Sequence, residues 1–208
     1  MKVEISKDRQ KKIIITFLLV AMLITIMVLL AKIYYIEANM TDAEKIFSDY
    51  GNIPVDNVFK MVNAKEAYEL LDDEQAIVMF GFKECKWCKS YLPILNEVVT
   101  ENNVPVVYYC NIKEDRKNNT EDYKKLVEKL KDYLYEDADK NKRIYVPDVY
   151  FVKNGKIVGH NNDTSVIEGT DTNEYYTENA KKELKEKLTK LVLEVYPKTE
   201  TCDDTKGC

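Results

Sequence analysis

Residues 77–95, IVMFGFKECKWCKSYLPIL, put two cysteines where a strand pattern gives way to a helical one. Residues 77–82 form an apolar and aromatic run that reads as a buried strand. After a short turn, Trp87, Tyr91, Leu92, Leu95 and Val98 recur at helical spacing. A thiol at a helix N-terminus faces unpaired backbone N–H groups and the positive end of the helix dipole, and both favour the thiolate. Cys85 is therefore the expected nucleophile. Cys88 lies one turn further in, close enough to close a disulfide with Cys85 and to resolve a mixed disulfide formed with a substrate.

Cysteine pairs at this spacing also hold zinc, so the motif alone leaves redox, metal-binding and inert structural readings open. A structural zinc site needs four ligands. No second C-x-x-C or H-x-x-x-H is present, the single histidine is His160, and Cys110, Cys202 and Cys208 are scattered or widely spaced. Redox chemistry is the expectation, with no metal.

A second stretch, residues 144–159 (IYVPDVYFVKNGKIVG), reads as two strands joined at Asn154-Gly155, because Asn-Gly supplies the positive φ angles of tight hairpins. Pro147 lacks an N–H for the ladder, which marks a strand start or a cis peptide. Taken together, CKWC after a strand and VP followed by strand, NG and strand make residues 57–196 resemble the thioredoxin-fold proteins. The resemblance implies an α/β fold, a three-layer α/β/α arrangement around a mixed sheet. It also implies that Pro147 is cis beside the cysteine pair and that the backbone at Val146 meets an incoming substrate strand. Trp87, Val146 and Pro147 are the candidate substrate-binding residues, Cys85 and Cys88 the catalytic ones, and no cofactor is required.

The chain departs from that family near the pair. A buried acid on the central strand is replaced by Met79, the lysine usual on the next strand by Tyr109, the tryptophan before the first cysteine by Glu84, and the intervening glycine-proline by Lys86-Trp87. Lys83, Lys86 and Lys89 are expected to favour a Cys85 thiolate and Glu84 to oppose it.

The N-terminus reads as a membrane anchor. Residues 13–31 are nineteen uncharged residues, about 28 Å as a helix at ~1.5 Å per residue and close to the ~30 Å hydrocarbon core. Lys2, Lys7, Arg9, Lys11 and Lys12 outnumber Glu4 and Asp8 before it, so the positive-inside bias sends the rest of the chain outward. A cleaved signal peptide is the competing reading, but no small-x-small site follows. The expected organisation is a cytoplasmic N-terminus (1–12), a transmembrane helix (13–36), a linker (37–55), the thioredoxin-like domain (56–196) and a polar tail (197–208).

Within the domain, residues 57–62 read as a first strand and 63–71 as a helix capped by Asn63, with Glu66 completing a capping box. Residues 104–112 form a buried strand. Residues 115–142 make an insertion, longer and more charged than the corresponding thioredoxin connection, with an amphipathic helix through Tyr123, Leu126, Leu130 and Leu134. A last helix over 178–196 repeats Leu184, Leu188, Leu191, Val192 and Val195 on one face.

Cys110 reads as a small core residue, although a shift of one residue in register places it beneath the pair. Cys202 and Cys208 flank a polar tail and are a possible structural disulfide. His160 reads as a surface loop residue without an acidic partner. A net charge of −5 argues against a nucleic-acid binder. The resulting expectation is a single-pass membrane protein of a bacterial cell with an extracellular thiol-disulfide oxidoreductase domain. Its partners are proteins bearing cysteines or disulfides and an electron-transfer protein in the membrane. Its architecture resembles the bacteriocin-transport accessory proteins. The alternative is a non-catalytic thioredoxin-fold binding module in a surface secretion or conjugation complex.

Overall fold

A computed structural model describes residues 7–163 and 169–198. Residues up to Thr41 form one unit and those from Asp42 another. The first unit is α1 (Lys7–Asn39), a single helix with no buried residue. Its residues 13–31 are apolar on every side, whereas a helix covering a core carries one apolar stripe. It is long and apolar enough to cross a membrane.

The second unit opens with α2 (Asp42–Tyr50), within the stretch read as a linker. This helix packs on the first strand and buries Ile46 and Tyr50 in the core. There follow β1 (Phe59–Val62), α3 (Ala64–Leu70), β2 (Gln75–Gly81), α4 (Lys86–Glu101) and β3 (Val107–Asn111). The insertion folds as α5 (Lys113–Asn118), α6 (Glu121–Leu130) and a small hairpin of β4 (Tyr135–Glu136) and β5 (Lys142–Arg143). The chain ends in β6 (Asp148–Lys153), β7 (Lys156–Asn161), α7 (Thr172–Tyr175) and α8 (Glu178–Val195).

Five strands form one mixed sheet in the order β1-β3-β2-β6-β7. β1, β3 and β2 run parallel, and β6 and β7 antiparallel to their neighbours. With α4 and α8 on one face and α3 and α6 on the other, this is a thioredoxin-like α/β fold. Local chemistry explains the main elements. Asn63 accepts the Glu66 N–H at 2.9 Å while Glu66 accepts the Asn63 N–H at 2.8 Å, the reciprocal box expected at the start of α3. Asn154 and Gly155 take φ of 52° and 68° at the β6–β7 turn, the left-handed geometry that Asn-Gly tolerates. α6 buries Tyr123, Leu126 and Leu130; Leu134, beyond its end, is also buried.

Side chains alternate across the sheet, so register decides which residues meet the cysteines. Met79 pairs with Tyr109 and Val149, and Gly81 lies two residues further along the same face. Phe80 pairs with Cys110 and Asp148 on the opposite face.

Candidate active site

Six of the seven residues of β2 are buried, so the strand is fixed in the sheet centre up to Gly81. A turn follows in which the Cys85 N–H donates to the Phe82 carbonyl at 3.1 Å. Cys85 is the N-cap of α4, with extended φ −74° and ψ 112°, and its sulfur accepts the Cys88 N–H at 3.2 Å. The cap position that Ser or Asp would usually fill is here held by sulfur.

The two sulfurs differ in environment. Cys85 is partly exposed and Cys88 fully buried. The hydrogen bond from the Cys88 thiol, helped by the Cys88 and Trp87 backbone N–H groups and the positive charge of Arg116, brings the Cys85 thiol down to about 7 against the cost of burial. Burial pushes the Cys88 thiol up, as do its hydrogen bond to Cys85 and the charge there. One cysteine is set to ionise near neutrality and its neighbour to keep its proton.

The charge that acts on Cys85 differs from the lysines expected from sequence. Lys83 pairs with Asp49 at 2.8 Å, and Lys86 reaches the Thr170 carbonyl at 3.5 Å. Glu84 is occupied by Lys113 at 2.6 Å. Arg116 carries no signal in the local motif, because it arrives from α5, thirty-one positions after Cys85.

Val146 and Pro147 lie against the pair. The Cys85 thiol donates to the Val146 carbonyl at 3.4 Å, and the Val146–Pro147 peptide is cis. Trp87 is 8% exposed and packs edge-on to Tyr175 at 5.4 Å and beside Tyr176 at 5.9 Å. Most of the indole is thus used in packing, and only its rim is exposed.

Behind Cys88 the sheet carries Met79 and Tyr109. A side chain at Gly81 would crowd Tyr109: a Cβ there would meet the Tyr109 ring at 3.1 Å, while the Cys88 sulfur, at 3.5 Å, is in ordinary contact. Glycine therefore lets Tyr109 and Cys88 approach each other. The Tyr109 and Tyr50 hydroxyls are 2.6 Å apart, and burial pushes both phenols far up, so they stay neutral. Sequence reasoning missed Tyr50 because it sits in a short helix outside the recognisable domain.

Cys110 is buried on the far face of the sheet and does not lie beneath the pair; burial pushes its thiol up. Cys202 and Cys208 lie outside the described residues. His160 corrects an expectation. It sits in β7 with its side chain 15% exposed, and its Nε2 is 2.6 Å from the Asp148 carboxylate. β6 and β7 pair antiparallel and bring these residues, twelve apart in sequence, onto one face.

No family model and no curated protein matches the chain. Among solved structures it is similar to oxidised mitochondrial thioredoxin 3 from Saccharomyces cerevisiae, at 15% identity, covering 55% of this chain and 86% of that one with a TM-score of 0.34. The fold assignment rests on strand order and register.

Proposed function

We propose that the chain is a membrane-tethered thiol-disulfide oxidoreductase acting through Cys85 and Cys88 on cysteines or disulfides of extracytoplasmic proteins. The observation that carries this reading is the division between the sulfurs: a partly exposed Cys85 lowered to about 7 beside a buried, raised Cys88. In the reducing direction, the Cys85 thiolate attacks a substrate disulfide. A Cys85–substrate bond forms, the substrate S–S bond breaks, and one substrate thiolate leaves. Cys88 then gives up its proton and attacks the Cys85 sulfur, which releases the second substrate thiolate and leaves the Cys85–Cys88 disulfide. Two electrons have moved to the substrate. The oxidising direction is the reverse, with the Cys85–Cys88 disulfide accepting two electrons from a substrate dithiol.

The location is supported by α1, long and apolar enough to span a membrane, and by the basic residues that precede the apolar run, the distribution expected when the following domain is exported. The single anchor, the insertion and the lone cysteine pair support a role similar to that of bacteriocin-transport accessory proteins, bringing secreted proteins to their working disulfide state. In membranes carrying Cys88→Ser, mixed disulfides at Cys85 cannot be resolved. Substrate adducts are expected on a non-reducing gel and should vanish when Cys85→Ser is added. Absence of any adduct in the single variant counts against the reading.

A further inference from the structure

An open groove of about 860 Å³ is lined by Lys113, Arg116, Lys117, Lys142 and Arg143 among others, with Asp137 as its acid. It is built by the insertion that sequence reasoning singled out as long and charged. Three of the cations have carboxylate partners: Lys113 has Glu84 at 2.6 Å, Lys117 has Glu114 at 3.6 Å and Lys142 has Glu136 at 3.6 Å. One carboxylate oxygen of Asp137 accepts the backbone N–H groups of Asp139 and Asn141.

Arg116 and Arg143 differ from those lysines. Among the described residues neither has a carboxylate within the 4.0 Å of an ion pair, and they act on each other as like charges. Arg116 lies over the Phe82 ring at 5.0 Å and donates to the Ile144 carbonyl at 3.3 Å. Arg143 lies over the Tyr145 ring at 5.5 Å, and its buried Nε has no acceptor. Each guanidinium presents five N–H donors in a planar fork that matches a carboxylate. Two such groups, partly desolvated and without a counter-ion, are electrostatically incomplete until an anion joins them.

Arg116 links the groove to the cysteine turn, because its guanidinium lies over Phe82, whose carbonyl accepts the Cys85 N–H at 3.1 Å. Arg143 is three residues before Val146, whose carbonyl is 3.4 Å from the Cys85 sulfur, so at ~3.3 Å per residue the chain separates them by at most about 10 Å. A substrate strand that follows residues 143–146 with its cysteine at Cys85 brings a side chain about three positions away toward the two arginines. The overall charge of −5 makes this a local basic patch on an acidic molecule, unsuited to a long polyanion.

We propose that Arg116 and Arg143 bind acidic side chains about three residues from the reacting cysteine of an extended polypeptide substrate. This rests on the oxidoreductase reading above. The test uses the full chain in detergent and three disulfide peptides that differ only in carrying Glu, Gln or Lys three positions on either side of cysteine. Second-order exchange rates are read at low and at physiological salt. The Glu peptide is expected to react about tenfold faster than the Gln peptide, the Lys peptide slowest, with the preference shrinking as salt rises. Arg143→Gln should bring the Glu-to-Gln rate ratio close to one. Equal rates for all three peptides with the wild-type chain overturn the proposal and leave the redox reading standing. Competition by inorganic phosphate without any peptide preference marks a small-anion site and also overturns it. Failure to exchange with any peptide or with glutathione overturns the redox reading and the proposal together.

Discussion

The two faces of the central sheet each bury a cluster of titratable groups, but only one leaves its chemistry unfinished. On the α4 face, Cys88 sits between Tyr109 and a partly exposed Cys85, so the buried thiol's partner can be taken by a substrate. On the opposite face, the fully buried Asp148 is closed off. His160 stands at 2.6 Å from one carboxylate oxygen and the Tyr150 hydroxyl donates to the other at 3.0 Å. The imidazole stacks on the Tyr150 ring at 4.6 Å, and Tyr133 covers both rings edge-on. Such a satisfied network holds the structure in place, whereas a half-satisfied one at the surface is where a functional site is sought. The two are joined, because Asp148 directly follows Pro147 and so ties down the strand start that presents Val146 to Cys85.

The largest effect that sharpens this contrast is expected at Asp148. Burial raises its carboxyl to about 6, against hydrogen bonds that favour the charged form. A carboxyl raised in the folded state contributes stability that is complete below its unfolded value near 4 and is lost as pH rises through 6. Replacing it by the neutral Asp148→Asn removes that dependence. The stability of the native chain relative to this variant should fall by about 2 kcal/mol between pH 4 and pH 7, read by denaturant unfolding. A flat difference would show that the carboxylate is as well accommodated as the acid. The variant's Cys85 should still ionise near neutrality.

The next effect is on the thiols. Alkylation of the reduced chain should rise with pH through a midpoint at Cys85 of about 7, with Cys88 unreactive over the same range. Arg116→Gln should move that midpoint upward, since a cation that favours the thiolate is removed. The smallest effect is the control: Lys83→Ala should leave the midpoint within about 0.2 units, because this exposed lysine is engaged by Asp49. A large shift in the control together with none at Arg116 would reverse this division of roles.

Much of this was readable in the amino-acid order, and what was not has a common cause. The strand-to-helix switch at Cys85, the capping box at Asn63, the Asn154-Gly155 turn and the apolar stripe of α8 are set by neighbours within a few residues, where sequence patterns carry the physics. Arg116, Tyr50 and the Asp148–His160 contact depend on strand pairing, on the inserted helix α5 and on a short helix that precedes the recognisable domain and packs into its core. Their partners lie twelve or more positions away. His160 looked solitary because its acid sits on the adjacent strand. The lysines around Cys85 looked influential because they are near in sequence, yet two of them turn to other partners.

The most direct test of the central claim is to equilibrate the full chain in graded reduced and oxidised glutathione and follow Cys85 and Cys88 by thiol labelling and mass spectrometry. The account expects the two thiols to disappear together, as one two-electron transition to an internal disulfide, at a potential between about −270 and −120 mV. Two thiols that stay reduced throughout, or a Cys85 that accumulates only a glutathione adduct which Cys88 never displaces, would contradict it.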